Sequence, residues 1–198
     1  MTNTKSRCSW CPTDDKVYGE YHDTEWGVPV YDDQELFRML ILEGAHAGLS
    51  WRTVLVKRSG YDKIFHSFDV DRVVNMTDAD LERALTNPQI IRNRLKVFSV
   101  RKNAQVFLEI QKEYGSFSEY LWHYVAHTPI INHWKNTSQV PTKTELSDTI
   151  SKDLKKRGMS FVGSTIIYAY LQAVGVVNDH TRDCFRYQPI IDAEKQKA

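Results

Sequence analysis

The sequence predicts an all-α protein, and three features carry that expectation. Apolar residues recur at helical spacing, Ser, Thr or Asp stands where helices would begin, and Gly or Asn-Pro stands where they would end. No stretch shows convincing strand-type alternation. In chain order, "YDDQELFRMLILEG" opens with Asp32 as N-cap and Glu35 three residues on, with Gly44 as the expected stop. Ser50 opens a second helix through "WRTVLVKRSG", closed by Gly60, and a short one fits "VDRVVNM". Thr77 caps "DADLERALTNP", where Asn87 and Pro88 end the run. From Ile91 to Tyr114, the residues Val97, Val100, Ala104, Phe107 and Leu108 mark one face of a long helix that Gly115 terminates. Ser116 and Glu119 have capping-box spacing at the start of "SFSEYLWHYV". A polar loop, "TPIINHWKNTSQVPTKT", precedes a helix ending "DLKKRG", and another helix runs from about Ser164 to Ala173 before Gly175. That loop is the one internal boundary the chain offers, since no flexible linker, repeat or low-complexity segment interrupts it.

Composition narrows the class. At 198 residues, 41% hydrophobic and 26% charged, the chain can bury a core without disulfides. A net charge of +1 gives no global basic signature, so a nucleic-acid partner would have to meet a local basic face. There is no basic start followed by an apolar segment, and no run approaches the roughly 20 apolar residues of a membrane span. The expectation is a cytoplasmic protein without membrane contact. Three cysteines, an odd number, argue against a disulfide framework and for thiols or metal ligands.

Three local constellations carry chemistry. In "VNDHTRDC", His180 and Cys184 lie four residues apart, so on a helix they would present a nitrogen and a sulfur to one ion; plain packing explains the same spacing. In "KDLKKRGMSFVGSTIIYAYLQAVG", two helices meet across a turn holding Gly158 and Gly163. Free amides there, with Lys155, Lys156 and Arg157 beside them, suit a phosphate, or else form a solvated hairpin end. The third is aromatic: Trp10, Tyr18, Tyr21, Trp26 and Trp51 cluster towards the N-terminus with Cys8, Cys11 and His22, as core or as a stacking surface. Glu43 follows Leu36 and Leu40 at helical spacing, which puts its carboxylate on an apolar face close to Trp51. A carboxylate in that position needs a partner or a purpose, unless the helix end leaves it in solvent. His46 poses the same alternative.

In order along the chain, "CSW", "YHDTEWGVP", "LEGAHAGLSW", "KKRGMSFVGSTI" and "VNDH...C" resemble the bacterial DNA-3-methyladenine glycosylase I family, from about Cys8 to Cys184. The resemblance implies an all-α helix-hairpin-helix DNA glycosylase architecture with a structural zinc joining the N- and C-terminal segments. It also implies a single glycosylase unit over 1–198, or two packed helical lobes, with zinc-binding segments at about 8–22 and 180–184 and the hairpin at about 145–174. The implied activity is hydrolysis of the N-glycosidic bond of 3-methyladenine in alkylated double-stranded DNA, without a lyase step, by a monomer.

The resemblance also assigns roles. Cys8 and His22 would join His180 and Cys184 around one Zn²⁺, with Cys11 of "CSWC" as the rival ligand. Closing the long loop between His22 and His180 would be worth roughly 4 to 5 kcal/mol by chain entropy. Glu43 would be catalytic, Trp51 would stack on the base, and Tyr21, Trp10, Tyr18 and Trp26 would line the walls. Lys155, Lys156, Arg157, Gly158 and Gly163 would hold DNA phosphates. Asp179 lies near the position of the superfamily's catalytic aspartate and is expected instead to orient His180 or cap a turn. Two other readings compete: a zinc-stabilised helix-hairpin-helix module that binds DNA without catalysis, and a zinc deaminase. The latter wants a glutamate in an "HxE" arrangement, whereas "HDTE" puts Glu25 three residues after His22.

Overall fold

The structure, a computed structural model, describes residues 5–196; residues 1–4 and 197–198 of the 1–198 unit lie outside the described residues. It is built almost entirely of helices: α1 (Lys16–Thr24), α2 (Asp33–His46), α3 (Trp51–Leu55), α4 (Arg58–Ile64), α5 (Val70–Val74), α6 (Asp78–Ala84), α7 (Arg94–Tyr114) and α8 (Phe117–His123) come first. Strand β1 (Ile130–Ile131) precedes α9 (Glu145–Lys156) and α10 (Ser164–Ala173), and β2 (Val177–Asn178) precedes α11 (Tyr187–Lys195). Among the described residues, no helix is long and apolar enough to cross a membrane.

Most helix starts lie where the capping residues put them. Asp32 accepts from the Glu35 amide at 2.8 Å, Ser50 caps α3, Thr77 and Asp80 form a reciprocal capping box, and Ser116 accepts from the Glu119 amide at 2.9 Å. Several expectations change. Helix α2 continues two residues past Gly44 to His46. The run from Ser50 breaks into α3 and α4 at Val56 and Lys57, and Gly60 lies inside α4 rather than ending it. Its lack of a side chain has another use: a Cβ there would come within 2.3 Å of the Gln89 carbonyl, so Gly60 is a close-approach site. Helix α7 starts at Arg94, capped by Asn93, and ends at Gly115 with φ of +89°. Val97, Val100, Ala104 and Phe107 are buried on its inner face with Ile110, while Leu108 is half-buried.

Two features were not legible as elements. The polar loop contains β1, which pairs in parallel with β2, Ile130 opposite Val177 and Ile131 opposite Asn178. Two residues are too few to show a period of two. Helix α1 is mostly polar and is set by Asp15, which accepts from the amides of Val17 and Tyr18 at 3.1 and 3.2 Å. The segment His180–Cys184 runs through turns rather than a helix, so its i, i+4 spacing is not what brings the two side chains together.

Helix α2 is central to the core. Leu36, Phe37, Leu40 and Leu42 are buried, with α10 packed on one side and α7 and α8 on another. Its first turn also holds α8, because the Asp33 carboxylate accepts from the Phe117 and Ser118 amides, each at 2.8 Å, and from Gln111 Nε2 at 2.6 Å. The segment after α1 is strapped to the end of α10 by Gly27 N–H to Gln172 O at 3.1 Å and Val30 N–H to Val174 O at 3.0 Å. Gly175 makes that approach possible. Its φ is +72°, and a Cβ would lie 2.4 Å from the Pro29 nitrogen. Gly175→Ala is therefore expected to lower unfolding free energy by about 3 kcal/mol or more, read from the urea midpoint.

Candidate active site and metal centre

The helices converge on one recess of about 360 Å³, within the roughly 300–1,000 Å³ typical of small-ligand sites. Trp10, Tyr18, Tyr21, Trp26, Glu43 and Trp51 all line it, so the structure brings together every aromatic residue singled out from the sequence and the one carboxylate placed beside them. They arrive from different elements: Trp10 from the N-terminal segment, Tyr18 and Tyr21 from α1, Trp26 just beyond it, Glu43 from α2 and Trp51 from α3. Tyr21 and Trp51 meet at 5.4 Å between ring centres, and Trp10 contacts Trp26 edge-on at 4.8 Å. The Trp51 indole nitrogen is buried without a hydrogen-bond partner among the described residues.

Glu43 is buried, only 3% exposed, and accepts from His46 Nδ1 at 3.2 Å. Burial pushes its carboxyl above the ordinary range, and the His46 hydrogen bond opposes that rise. The same burial, with the nearby Glu43 charge, pushes the Tyr21 hydroxyl well above its usual range and keeps it protonated. His46 also lines the recess and meets Trp51 edge-on at 5.4 Å.

Sequence reasoning missed the opposite wall. Thr165, Tyr168, Ala169 and Gln172 of α10 line the recess, as do Val140, Pro141 and Thr142 of the loop that contains β1. A signal was present: Thr165, Tyr168 and Gln172 form a polar stripe at i, i+3 and i+7 on an otherwise apolar helix. Asp179 is there too, and it does not orient the His180 ring or cap a turn. Its Oδ1 accepts from Asn132 Nδ2 and Trp134 Nε1, each at 2.7 Å, and its Oδ2 from Gln172 Nε2 at 2.7 Å and from the Tyr168 hydroxyl. Four donors hold this buried carboxylate and tie the loop to α10.

Behind the recess, Cys8, His22, His180 and Cys184 are all buried, and their donor atoms lie within 4.8 Å of one another. Cys184 Sγ is 3.3 Å from His180 Nδ1 and 3.5 Å from His22 Nε2, and Cys8 Sγ is 3.5 Å from His180 Nδ1. A tetrahedral ion bound by thiolates and imidazoles places its donors roughly 3.3–3.8 Å apart; these three separations fall in that range, and the group could hold a metal ion. The outer ring nitrogens are engaged as such a site requires: His22 Nδ1 lies 2.9 Å from Asp23 Oδ1, and His180 Nε2 lies 3.0 Å from the Trp26 carbonyl oxygen. The amides of Thr181 and Arg186 donate to the two sulfurs at 3.4 Å. Cys184, accepting from Cys8, is held towards thiolate, while Cys8, donating to Cys184 and buried, is pushed up. Cys11 is buried but lies outside this group. Glu25 is engaged by Arg58, whose Nη1 lies 2.8 and 2.7 Å from its two oxygens, and takes no part in the cluster.

The α9–α10 hairpin adjoins the recess through α2. Gly158 adopts φ of +105°, and Phe161, with φ of +58°, packs against Gly44, where a Cβ would meet Phe161 Cβ at 3.2 Å. The Asn103 side chain holds the turn at Ser160, donating to its carbonyl oxygen and accepting from its amide at 2.9 Å each. Gly163 provides no side-chain cap, so the first amides of α10 are not claimed by one. Lys155 and Lys156 are exposed. Arg157 is committed elsewhere: its Nε donates to Asp153 at 2.7 Å and its terminal nitrogens to Glu113.

Fold and site together define a class: a helical protein with a helix-turn-helix hairpin beside an aromatic, carboxylate-bearing recess of small-molecule size, backed by a Cys₂His₂ cluster. The family model described as methyladenine glycosylase matches residues 10–187. The chain is 45% identical over 179 residues to the DNA-3-methyladenine glycosylase of Haemophilus influenzae, covering 90% of this chain and 96% of that one. It is also 45% identical over 181 residues to DNA-3-methyladenine glycosylase 1 of Escherichia coli K12, covering 91% and 96%. A crystal structure of 3-methyladenine DNA glycosylase I superposes with a TM-score of 0.88 at 46% identity, covering 91% and 98%. The Staphylococcus aureus enzyme, from a study of 3-methyladenine recognition, gives 0.87 at 39% identity, covering 88% and 93%. The chain belongs to the methyladenine glycosylase family. For the cluster, elemental analysis of dialysed protein is expected to find bound metal in the native chain and in Cys11→Ala but not in Cys8→Ala; the reverse pattern would contradict the ligand assignment.

Proposed function

We propose that this chain is a monofunctional DNA N-glycosylase that extrudes 3-methyladenine from alkylated double-stranded DNA and hydrolyses its glycosidic bond, leaving an abasic site. The observation that carries this reading is the Glu43 carboxylate, buried among aromatic rings in a recess large enough to admit a purine. Membership of the methyladenine glycosylase family supports it.

The chemistry explains why so little else is needed. Methylation at N3 makes the attached adenine cationic, so its bond to the sugar is already weak. The electron pair of the C1′–N9 bond leaves with the base, which departs neutral; a water oxygen bonds to C1′ and releases its proton to solvent. What remains for the protein is extrusion, at a few kcal/mol, and discrimination. Stacking offers roughly 1 to 3 kcal/mol per base, and electron-rich ring faces favour a cationic purine over a neutral one. Trp51 takes the stacking role, with Tyr21, Trp10, Tyr18 and Trp26 as walls. Glu43 accepts from the exocyclic amine, and its negative charge favours the cationic ring.

The Cys8, His22, His180 and Cys184 cluster holds one structural zinc in this reading, supported by its donor set and separations. When bound, that ion supplies a cross-link between the two terminal segments rather than chemistry. The hairpin, about 145–174 within a single unit, grips phosphates through amides between Gly158 and Gly163 with Lys155 and Lys156. Arg157, shared between Glu113 and Asp153, braces this face from behind. The reading includes a cytoplasmic monomer; cysteines without a disulfide among the described residues suit a reducing compartment, and one chain carries the whole recess.

The test is to incubate purified protein with methylated DNA and identify any base released by chromatography. Free 3-methyladenine is expected from the native chain. No released base would favour a DNA-binding module, and an altered base retained in DNA would favour a deaminase. Glu43→Gln is expected to slow release roughly 100-fold with helicity and metal content unchanged. Full activity in that variant would remove Glu43 from its assigned role.

A further inference from the structure

The open face of α10 carries a polar group that the glycosylase reading leaves without a task. Thr165, Ala169 and Gln172 recur at i, i+4 and i+7, so they share one face, and all three line the recess. Ile167, Tyr170 and Leu171 of the same helix are buried in the core. Thr165 is exposed at the rim, two residues past Gly163 of the hairpin turn. Gln172 is half-buried at the floor, where its backbone carbonyl accepts from Gly27, next to Trp26. Seven residues of helix separate the two by roughly 10 Å. That span suits a purine nucleoside lying along α10, with its sugar near Thr165 and the phosphate grip, and its far edge at Gln172. Ala169, with only a methyl group, leaves room for the ring between them.

The Gln172 amide has one orientation. Its Nε2 donates to Asp179 Oδ2 at 2.7 Å, and because a carboxylate only accepts, the nitrogen must face Asp179 and Oε1 must face away. Asp179 cannot turn aside: it is 2% exposed and is held by Asn132, Trp134 and Tyr168 as well. Gln172 Oε1 accepts no hydrogen bond among the described residues, and it is not sealed into the core. Glu43 has a similar vacancy across the recess. Its Oε2 is taken by His46, and its Oε1 has no partner among the described residues. Acceptor oxygens therefore reach the recess from two walls, α2 and α10.

We propose that Gln172 is a specificity-determining residue of the glycosylase reaction: its Oε1 accepts one N–H of the exocyclic amine of 3-methyladenine while Glu43 accepts the other. Asp179 is the positioning residue that keeps the amide from turning over. A 6-oxo purine of the same outline places an oxygen where the amine would be, against two acceptors. An unrestrained glutamine would answer by presenting its nitrogen instead. Here that turnover would set Oε1 against the Asp179 carboxylate, so the oxo base is refused. The pair reads the amine of adenine and not the methyl group; the weakened glycosidic bond accounts for the latter. This inference rests on the glycosylase reading and adds a second contact to the same site.

The experiment titrates tryptophan fluorescence of native chain, Gln172→Met and Asp179→Asn with three free bases. These are 3-methyladenine, 3-methyl-3H-purine, which has hydrogen in place of the amine, and 3-methylhypoxanthine, which has an oxo group there. Met keeps the length of Gln without its amide, and Asn at 179 both donates and accepts, so the Gln172 amide is free to turn. Gln172→Met is expected to bind 3-methyladenine about 10-fold more weakly than the native chain does, and 3-methyl-3H-purine within about 2-fold. Asp179→Asn is expected to reduce the preference for 3-methyladenine over 3-methylhypoxanthine about 10-fold. Circular dichroism and metal content verify the fold of each variant, and a merely structural role would weaken all the bases alike. Equal losses for the amino and unsubstituted purines in Gln172→Met, or no loss, would overturn the inference, as would an unchanged preference in Asp179→Asn. If neither variant folds, the native chain decides: a preference of about 100-fold for 3-methyladenine over 3-methyl-3H-purine supports two hydrogen bonds, and about 10-fold or less overturns the second. Release of 3-methyladenine from methylated DNA by the native chain keeps the glycosylase reading intact through any of these failures. Absence of that release would overturn both.

Discussion

One carboxylate taken out of water sets the terms for the rest of this molecule. Glu43 sits one turn from the end of the central helix, below 5% exposed, with His46 as its protein partner. A buried anion costs several kcal/mol unless it is paired and hydrogen-bonded, and one imidazole satisfies only part of that need. The recess in front of it makes the remainder useful. A flat, electron-poor purine bearing a positive charge offers donors to the carboxylate and a face to the rings, whereas a neutral base offers only the first and part of the second. In the proposed reading, the energetic burden of burying Glu43 becomes selectivity.

The surrounding architecture keeps that carboxylate where it is. Leu36 and Leu40 pin α2 into the core, Tyr21 and Trp51 close over its exposed end, and Gly44 admits Phe161 of the hairpin turn to contact. Through that last contact, the element proposed to hold the phosphates and the element bearing Glu43 are packed directly together, which fixes the distance between backbone grip and base recess. The Cys₂His₂ cluster adds a second constraint. Trp26 packs edge-on against His180 at 4.6 Å, and its carbonyl lies 3.0 Å from His180 Nε2, while its indole forms part of the recess. Metal ligation, in this account, holds a wall of the base site as well as the chain termini.

The sequence disclosed helices better than it disclosed their joints. Capping residues such as Asp32, Ser50, Thr77 and Ser116 marked true helix starts because their side chains satisfy local amides, a requirement independent of tertiary context. Gly60 misled because its missing side chain serves contact with Gln89, which is distant in sequence. Helix α1, mostly polar, and the two-residue ladder of β1 with β2 owe their existence to what they pack against. At the site, ring chemistry and the apolar spacing around Glu43 were visible locally, and the ordered family motifs gave Cys8 and His22. The donors to Asp179 were not visible, since Asn132, Trp134, Tyr168 and Gln172 converge on it only in three dimensions.

The account turns on whether the recess reads positive charge. Titration of tryptophan fluorescence with two free ligands of matching shape tests this directly: the 3,9-dimethyladeninium cation and neutral 3,9-dimethyl-3-deazaadenine. The native chain should bind the cation at least about 10-fold more tightly, the equivalent of about 1.4 kcal/mol, and Glu43→Gln should abolish most of that difference. Equal affinity for both ligands in the native chain, or an undiminished preference in Glu43→Gln, would contradict it.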